Sequence, residues 1–120
     1  MTNHRIAKDA GLLQGTLELL ILKALSWERM HGYGIALWIE RVTEDALRVE
    51  EGSLYPALYR MERKKWVRSR EGITENNRKA KYYELTAEGR RQLAERLTAW
   101  YRLASAVNRA VSVERPQEHG

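Results

Sequence analysis

The stretch "EGSLYPALYRMERKKW", residues 51–66, sets Tyr55 and Tyr59 four apart and Arg60 and Arg63 three apart. On a helix these spacings bring each pair onto neighbouring turns. Phenol hydroxyls and guanidinium forks are hydrogen-bond donors, suited to anionic oxygens and to the edges of planar rings. Gly52 and Ser53 add backbone N–H groups at a helix start, where an anion is also welcome. Farther along, Arg78, Lys79 and Lys81 supply three cations within four residues. The chemistry available to this set is the binding of a polyanion.

Charge placement supports that reading. Nine basic and three acidic residues lie between Arg60 and Lys81, a balance of +6, whereas the rest of the chain holds 12 basic and 13 acidic residues. The net +5 of the 120 residues is therefore concentrated in one window, as on a polyanion-binding surface and unlike a scattered solvated face. With 43% hydrophobic and 31% charged residues the chain has the composition of one folded domain. It has no apolar run of membrane-spanning length, and "MTNHRIAKDAG" lacks the layout of an export signal, so a cytoplasmic location is expected.

Catalysis has little to work with. There is no cysteine, and His4, His31 and His119 are dispersed, so neither a metal nor a cofactor is expected. Glu50 and Glu51 are adjacent but face no evident pocket, and no serine or histidine sits in a nucleophile motif. "GYGIAL" matches half of a dinucleotide fingerprint and lacks the third glycine. No enzyme is expected.

The elements that must position these groups follow from periodicity. "GTLELLILKALSWE", residues 15–28, carries apolar residues at 17, 20, 21, 24 and 25, a first amphipathic helix with Thr16 as its cap. "ERMHGYG" breaks the pattern, with His31 as a capping or turn residue. Ile35, Ile39 and Val42 then define the buried stripe of a second helix, with Leu37 and Trp38 off it at the core edge or at a partner surface. Leu54, Leu58 and Met61 give the third helix its inner face, leaving Tyr55, Tyr59, Arg60 and Arg63 pointing outward. That helix starts either with Ser53 as N-cap or with Pro56 as its first residue.

"WVRSREGIT" and "KAKYYELT" flank the polar tip "ENNRK", a two-stranded hairpin in which Lys81, Tyr83 and Leu85 share one face. Thr86 then caps a final helix, "AEGRRQLAERLTAWYRLASAVNRAV". Leu93, Leu97, Trp100, Ala104, Val107 and Val111 recur along it at alternating steps of four and three, a coiled-coil seam expected to face a second copy of the chain.

The fold class implied is mainly α with a small β-hairpin: a winged helix-turn-helix over residues 12–86 and a dimerisation helix over 87–112, with flexible or partly ordered ends at 1–11 and 113–120. In such modules the third helix enters the major groove of DNA. Arg60 and Arg63 can then donate to guanine or phosphate, and Tyr55 and Tyr59 to phosphates while their rings meet thymine methyls. Ser53 suits a phosphate at the helix start, and Arg78, Lys79 and Lys81 suit neighbouring phosphates or the minor groove. Tyr55 and Tyr59 have a second reading, as a cover for the apolar base of the wing.

Three segments, "LLQGTLELLILKALSWERMHGYGIALWIE", "VEEGSLYPALYRMERKKWV" and "ENNRKAKYYELTAEGRRQL", resemble the PadR family of bacterial transcriptional regulators. "HGY", "GSLYPAL" and "RKAKYYELTxxG" carry the resemblance, which spans roughly residues 12–95 and is closest to the branch with a short C-terminal helix. It implies a homodimeric repressor on an inverted-repeat operator, often controlling efflux or detoxification genes. In some members a small aromatic effector at the dimer interface releases the DNA. By the match, Tyr55, Pro56, Tyr59, Lys79 and Lys81 face DNA, while Leu37 and Trp38 depart from the polar residues expected there. Trp100, with Tyr101 beside it, either fills the dimer core or walls a slot for such an effector.

Two other partners fit the same pattern. A winged helix can be a protein-interaction module docking an acidic partner. Structured RNA is a third, disfavoured because the aromatics lie on a helix and not on an open sheet.

Overall fold

The computed structural model describes residues 14–115. Its elements are α1 (Gln14–Leu25), β1 (Met30–His31), α2 (Gly32–Val42), α3 (Glu51–Arg63), β2 (Val67–Ile73), β3 (Lys79–Leu85) and α4 (Ala87–Val111). The strands form one antiparallel sheet in the order β1-β3-β2. Met30 pairs with Tyr83 and Val67 with Leu85. Of the ends expected at residues 1–11 and 113–120, all but 113–115 lie outside the described residues, as do His4 and His119.

α1 is the hub, packing against α2, α3, α4 and β3. Leu17, Ile21, Leu22, Ala24 and Leu25 are buried on it and meet Ile35 and Ile39 of α2, and Leu54, Ala57, Leu58 and Met61 of α3, in one core closed by Trp66, Val67, Tyr83 and Leu85. Each fully buried Leu or Ile in such a core contributes about 1.5–3 kcal/mol of transfer free energy.

Several expectations are corrected. "ERMHGYG" contains a two-residue strand, β1, which its brevity hid. α1 is helical from Gln14 and stops at Leu25, so Thr16 is inside it and caps nothing. α3 begins at Glu51, earlier than either reading: Ser53 and Leu54 both donate their N–H to the Glu50 carbonyl, 2.9 Å each. Ser53 is thus a first-turn residue and Pro56 lies inside the helix. Pro56 leaves the Gly52 carbonyl without its intrahelical donor, tolerable because Gly52 is exposed. Val42 is 53% exposed, so α2 buries Gly32, Ile35 and Ile39 instead. Trp38 packs at the core edge, as expected.

α4 runs from Ala87 to Val111 as read, with Thr86 Oγ1 accepting from Gly89 N–H at 3.0 Å. Its seam is divided. Leu93 is buried and Leu97 half-buried against the chain's own core, because the first turns of α4 lie on α1. From Trp100 onward the helix leaves the domain, and with it the chain measures 66 Å along its longest axis.

The start of α4 is fastened at backbone level. Thr86 donates its N–H to the Trp66 carbonyl at 3.0 Å and its hydroxyl to the Lys65 carbonyl at 2.6 Å. Gly89 lies so close to that chain segment that a Cβ there would fall on the Trp66 carbonyl oxygen. Gly89→Ala is therefore expected to lower stability by about 3 kcal/mol or more, an overpacking effect against backbone. Gly52→Ala meets nothing within 4 Å and should be neutral or stabilising by about 0.5–1 kcal/mol. Urea unfolding of the two variants checks both.

Candidate nucleic-acid interface

The outer face of α3 presents Ser53, Tyr55, Pro56, Tyr59 and Arg63 to solvent. Tyr59 is 62% exposed, and the Arg63 guanidinium lies 5.8 Å from its ring centre. Tyr55 is held more firmly. Its ring crosses the start of α2, where a Cβ on Gly32 would meet Tyr55 Cε1 and its hydroxyl at 2.6 Å. Burial, and secondarily Glu51, raise its phenol pKa above the usual 10.0, so the hydroxyl stays protonated as a donor.

α2 starts where it does because His31 caps it: Nδ1 accepts from Gly34 N–H at 3.0 Å. The ring sits edge-on to Tyr82 at 5.3 Å and lies parallel to Tyr33 at 6.4 Å. At the hairpin tip, Thr74 N–H donates to the Arg78 carbonyl at 2.8 Å and Asn77 takes a left-handed turn, φ 61°. This folds the tip back and aims Arg78, Lys79 and Lys81 at the α2 start.

The result is a groove of about 490 Å³ between wing and helices, lined by Tyr55, His31, Gly32, Tyr33, Arg78, Lys79 and Lys81 together with Thr74, Asn76 and Ala80. Three cations and no carboxylate line it. Among the described residues none of the three cations is in an ion pair. The structure thus brings Tyr55 together with the wing basics, whereas Ser53, Pro56, Tyr59 and Arg63 lie on α3 outside the groove. Sequence reading missed Tyr33, 63% exposed at the groove wall, although "HGY" was its signal.

Arg60 is a correction. Instead of pointing wholly outward it reaches back to α1, with Nε 3.6 Å from Glu18 Oε2, because a buried carboxylate there attracts it. Glu18 itself was missed. It is 2% exposed, and its position in register with Ile21, Leu22 and Leu25 was the available signal.

On α4, Trp100 and Tyr101 are exposed but do not share a site. Trp100 borders a cavity of about 300 Å³ with Gly15, Thr16, Leu19, Arg96, Ala99 and Leu103. Tyr101 opens into a separate groove with Ala104, Asn108 and Arg109. Val107 and Val111 are exposed on the same protruding half of the helix.

A helical core bearing a hairpin wing, with an exposed tyrosine-rich third helix beside an acid-free cationic groove, defines a winged helix-turn-helix DNA-binding regulator. The Transcriptional regulator PadR-like family matches residues 21–95. In solved structures the chain is similar to a PadR-like transcriptional regulator of Bacillus cereus, 30% identical with a TM-score of 0.74 over 88% of this chain and 100% of that one. It is also similar to a PadR family transcription regulator of Clostridium difficile, 29% identical with a TM-score of 0.67 over 79% and 97%. An uncharacterized protein of Lysinibacillus sphaericus is 28% identical over 89 residues, 74% of this chain and 82% of that protein. The chain belongs to the PadR-like family of transcriptional regulators.

The raised pKa of Tyr55 has a signed consequence. Its contribution to stability is complete below the unfolded value of 10.0 and is lost as pH rises through the folded value. Wild type should therefore lose stability relative to Tyr55→Phe between about pH 9 and pH 11, read from urea unfolding at both.

Proposed function

We propose that the chain is a homodimeric repressor that binds an inverted-repeat operator in the cytoplasm and acts by occupying DNA, without catalysis. Residues 12–86 form the reading module and 87–112 the dimerisation helix. α3 enters the major groove with Tyr59 and Arg63 toward base edges and phosphates, while Arg78, Lys79 and Lys81 take the backbone beside it. The observation that carries this reading is the groove shared by Tyr55 and the wing, where three cations that are in no ion pair among the described residues face an opening lined by no carboxylate. A phosphate chain passing from α3 to the wing neutralises that charge and releases counterions. An acidic protein partner is the competing occupant.

The dimer reading is supported by the apolar side of α4 beyond the domain, where Trp100, Leu103, Val107 and Val111 lack cover in one chain. A second α4 packed there hides them and sets two third helices on one face, as a two-fold operator requires. A small aromatic effector seated beside Trp100, in the cavity between α1 and α4, then acts on the same helix that fixes the half-site spacing.

Selection of bound fragments from genomic DNA tests the reading. It should return sites whose half-sites lie about 10–10.5 bp apart or a multiple of that. Lys79→Ala is expected to weaken all sequences alike and to flatten the logarithmic salt slope by about 0.9, whereas Tyr59→Ala also erodes discrimination. Recovery of fragments with no common site would favour the acidic partner. Val107→Glu, at a position 48% exposed in one chain, should leave the fold intact and give monomers in light scattering where wild type is dimeric.

A further inference from the structure

Glu18 is a buried carboxylate that neither the groove nor the α4 seam uses. It lies on the apolar stripe of α1, 2% exposed, where an uncompensated charge costs stability. Two cations answer it from different helices. Arg60 of α3 places Nε 3.6 Å from Oε2, and Arg96 of α4 places Nη1 3.8 Å from Oε1. Glu18 Oε2 and Arg60 Nε are both buried without a hydrogen-bond partner, so each is available to the other and to little else.

Arg60 nevertheless keeps 36% of its side chain exposed. With Nε turned inward, the two Nη groups are what it can offer to solvent. A guanidinium is planar, so fixing the Nε edge fixes the direction of the opposite edge. Arg96 is itself braced: its guanidinium lies 4.6 Å from the Trp66 ring centre, and Nε donates to Gln92 Oε1 at 3.3 Å. It holds the carboxylate from the far side and keeps it from swinging away from α3.

We propose that Glu18 is the positioning residue for Arg60, holding Nε so that the Nη pair is aimed at base edges, with Arg96 as the brace that keeps the carboxylate in place. This rests on the operator reading above and assigns Arg60 a different geometry from Arg63, whose guanidinium lies 5.8 Å from the Tyr59 ring centre. A pre-aimed fork loses less conformational freedom when it meets guanine O6 and N7, and it resists tilting toward a wrong base. At 3.6 Å the ion contact is short of a hydrogen bond. The proposal requires it to close to one when DNA is bound.

Two measurements test it. The first is nitrogen-15 NMR of the Arg60 Nε–H group, assigned by its loss in Arg60→Lys. Slow solvent exchange is expected in the free protein, slower still with DNA, and fast exchange in Glu18→Leu. The second is competition binding between the selected operator and single-base variants of it. Glu18→Leu and Arg60→Ala should each lower discrimination by about fivefold or more at one base pair, and the double variant should be no worse than Arg60→Ala.

Additive losses, full discrimination in Glu18→Leu, or freely exchanging Nε–H in wild type would each overturn the proposal. If Glu18→Leu does not fold, Arg60→Lys decides. It keeps the charge but not the fork, so it must lose discrimination at an unchanged salt slope, and retained discrimination refutes the role. A wild type that prefers no operator would sink the DNA reading instead, while the exchange measurement on free protein still judges the contact.

Discussion

The carbonyl oxygen of Trp66 is the point on which the geometry of the whole chain turns. It accepts the Thr86 N–H, lies beside the Thr86 hydroxyl at 3.1 Å, and leaves room for Gly89 only because that residue has no side chain. Trp66 stands just past α3, whose end is closed by the left-handed Lys65, φ 67°, and by Trp66 N–H donating to the Met61 carbonyl at 3.0 Å. Two helix ends are thereby joined through one peptide unit. The helix that presents the tyrosines and the helix that leaves the domain cannot change their relative direction without breaking backbone hydrogen bonds.

A second close approach orders the other side of the interface. Tyr55 crosses Gly32, and His31 caps the helix that Gly32 begins, so the wall of the groove is built from α3 and α2 at once. The wing completes it through a five-residue tip held by Thr74 and Arg78. Aromatics on the helix side and long cations on the wing side suit a ligand whose charge is regular and whose sequence varies. Phosphate spacing can be met by long lysines, while base edges need groups whose position is settled in advance.

Much of this was legible in the sequence because it depends on local period. The span of α4 is legible from its heptad steps of four and three and a threonine cap, and the hairpin from its alternation and polar tip. What escaped reading depends on contacts made across the chain. β1 is two residues long and exists only because β3 offers an edge to pair with. The start of α3 was set by the Glu50 carbonyl, not by the better capping residue Ser53, and the helix ran through Pro56 because the inner face of Leu54, Ala57 and Leu58 outweighed one lost hydrogen bond. Glu18 gains its meaning only from partners that α3 and α4 bring to it. Val42 continued a stripe in sequence that the end of α2 did not continue in space.

The seam of α4 shows why period alone cannot apportion a helix between two cores. Leu93, Leu97, Trp100, Ala104, Val107 and Val111 have one unbroken spacing, yet Leu93 and Leu97 pack on the chain's own core while Trp100, Val107 and Val111 are exposed. A 25-residue helix rises about 37 Å, beyond the reach of a domain built on α1 alone, so a stripe that begins as core must end as surface. The boundary falls at Arg96, which lines the cavity beside Trp100 on one side and answers Glu18 on the other. The side chain that lies next to Trp100 at this boundary is thus the one that meets the buried carboxylate. From there two ion contacts, Arg96 to Glu18 at 3.8 Å and Glu18 to Arg60 at 3.6 Å, lead across α1 to α3.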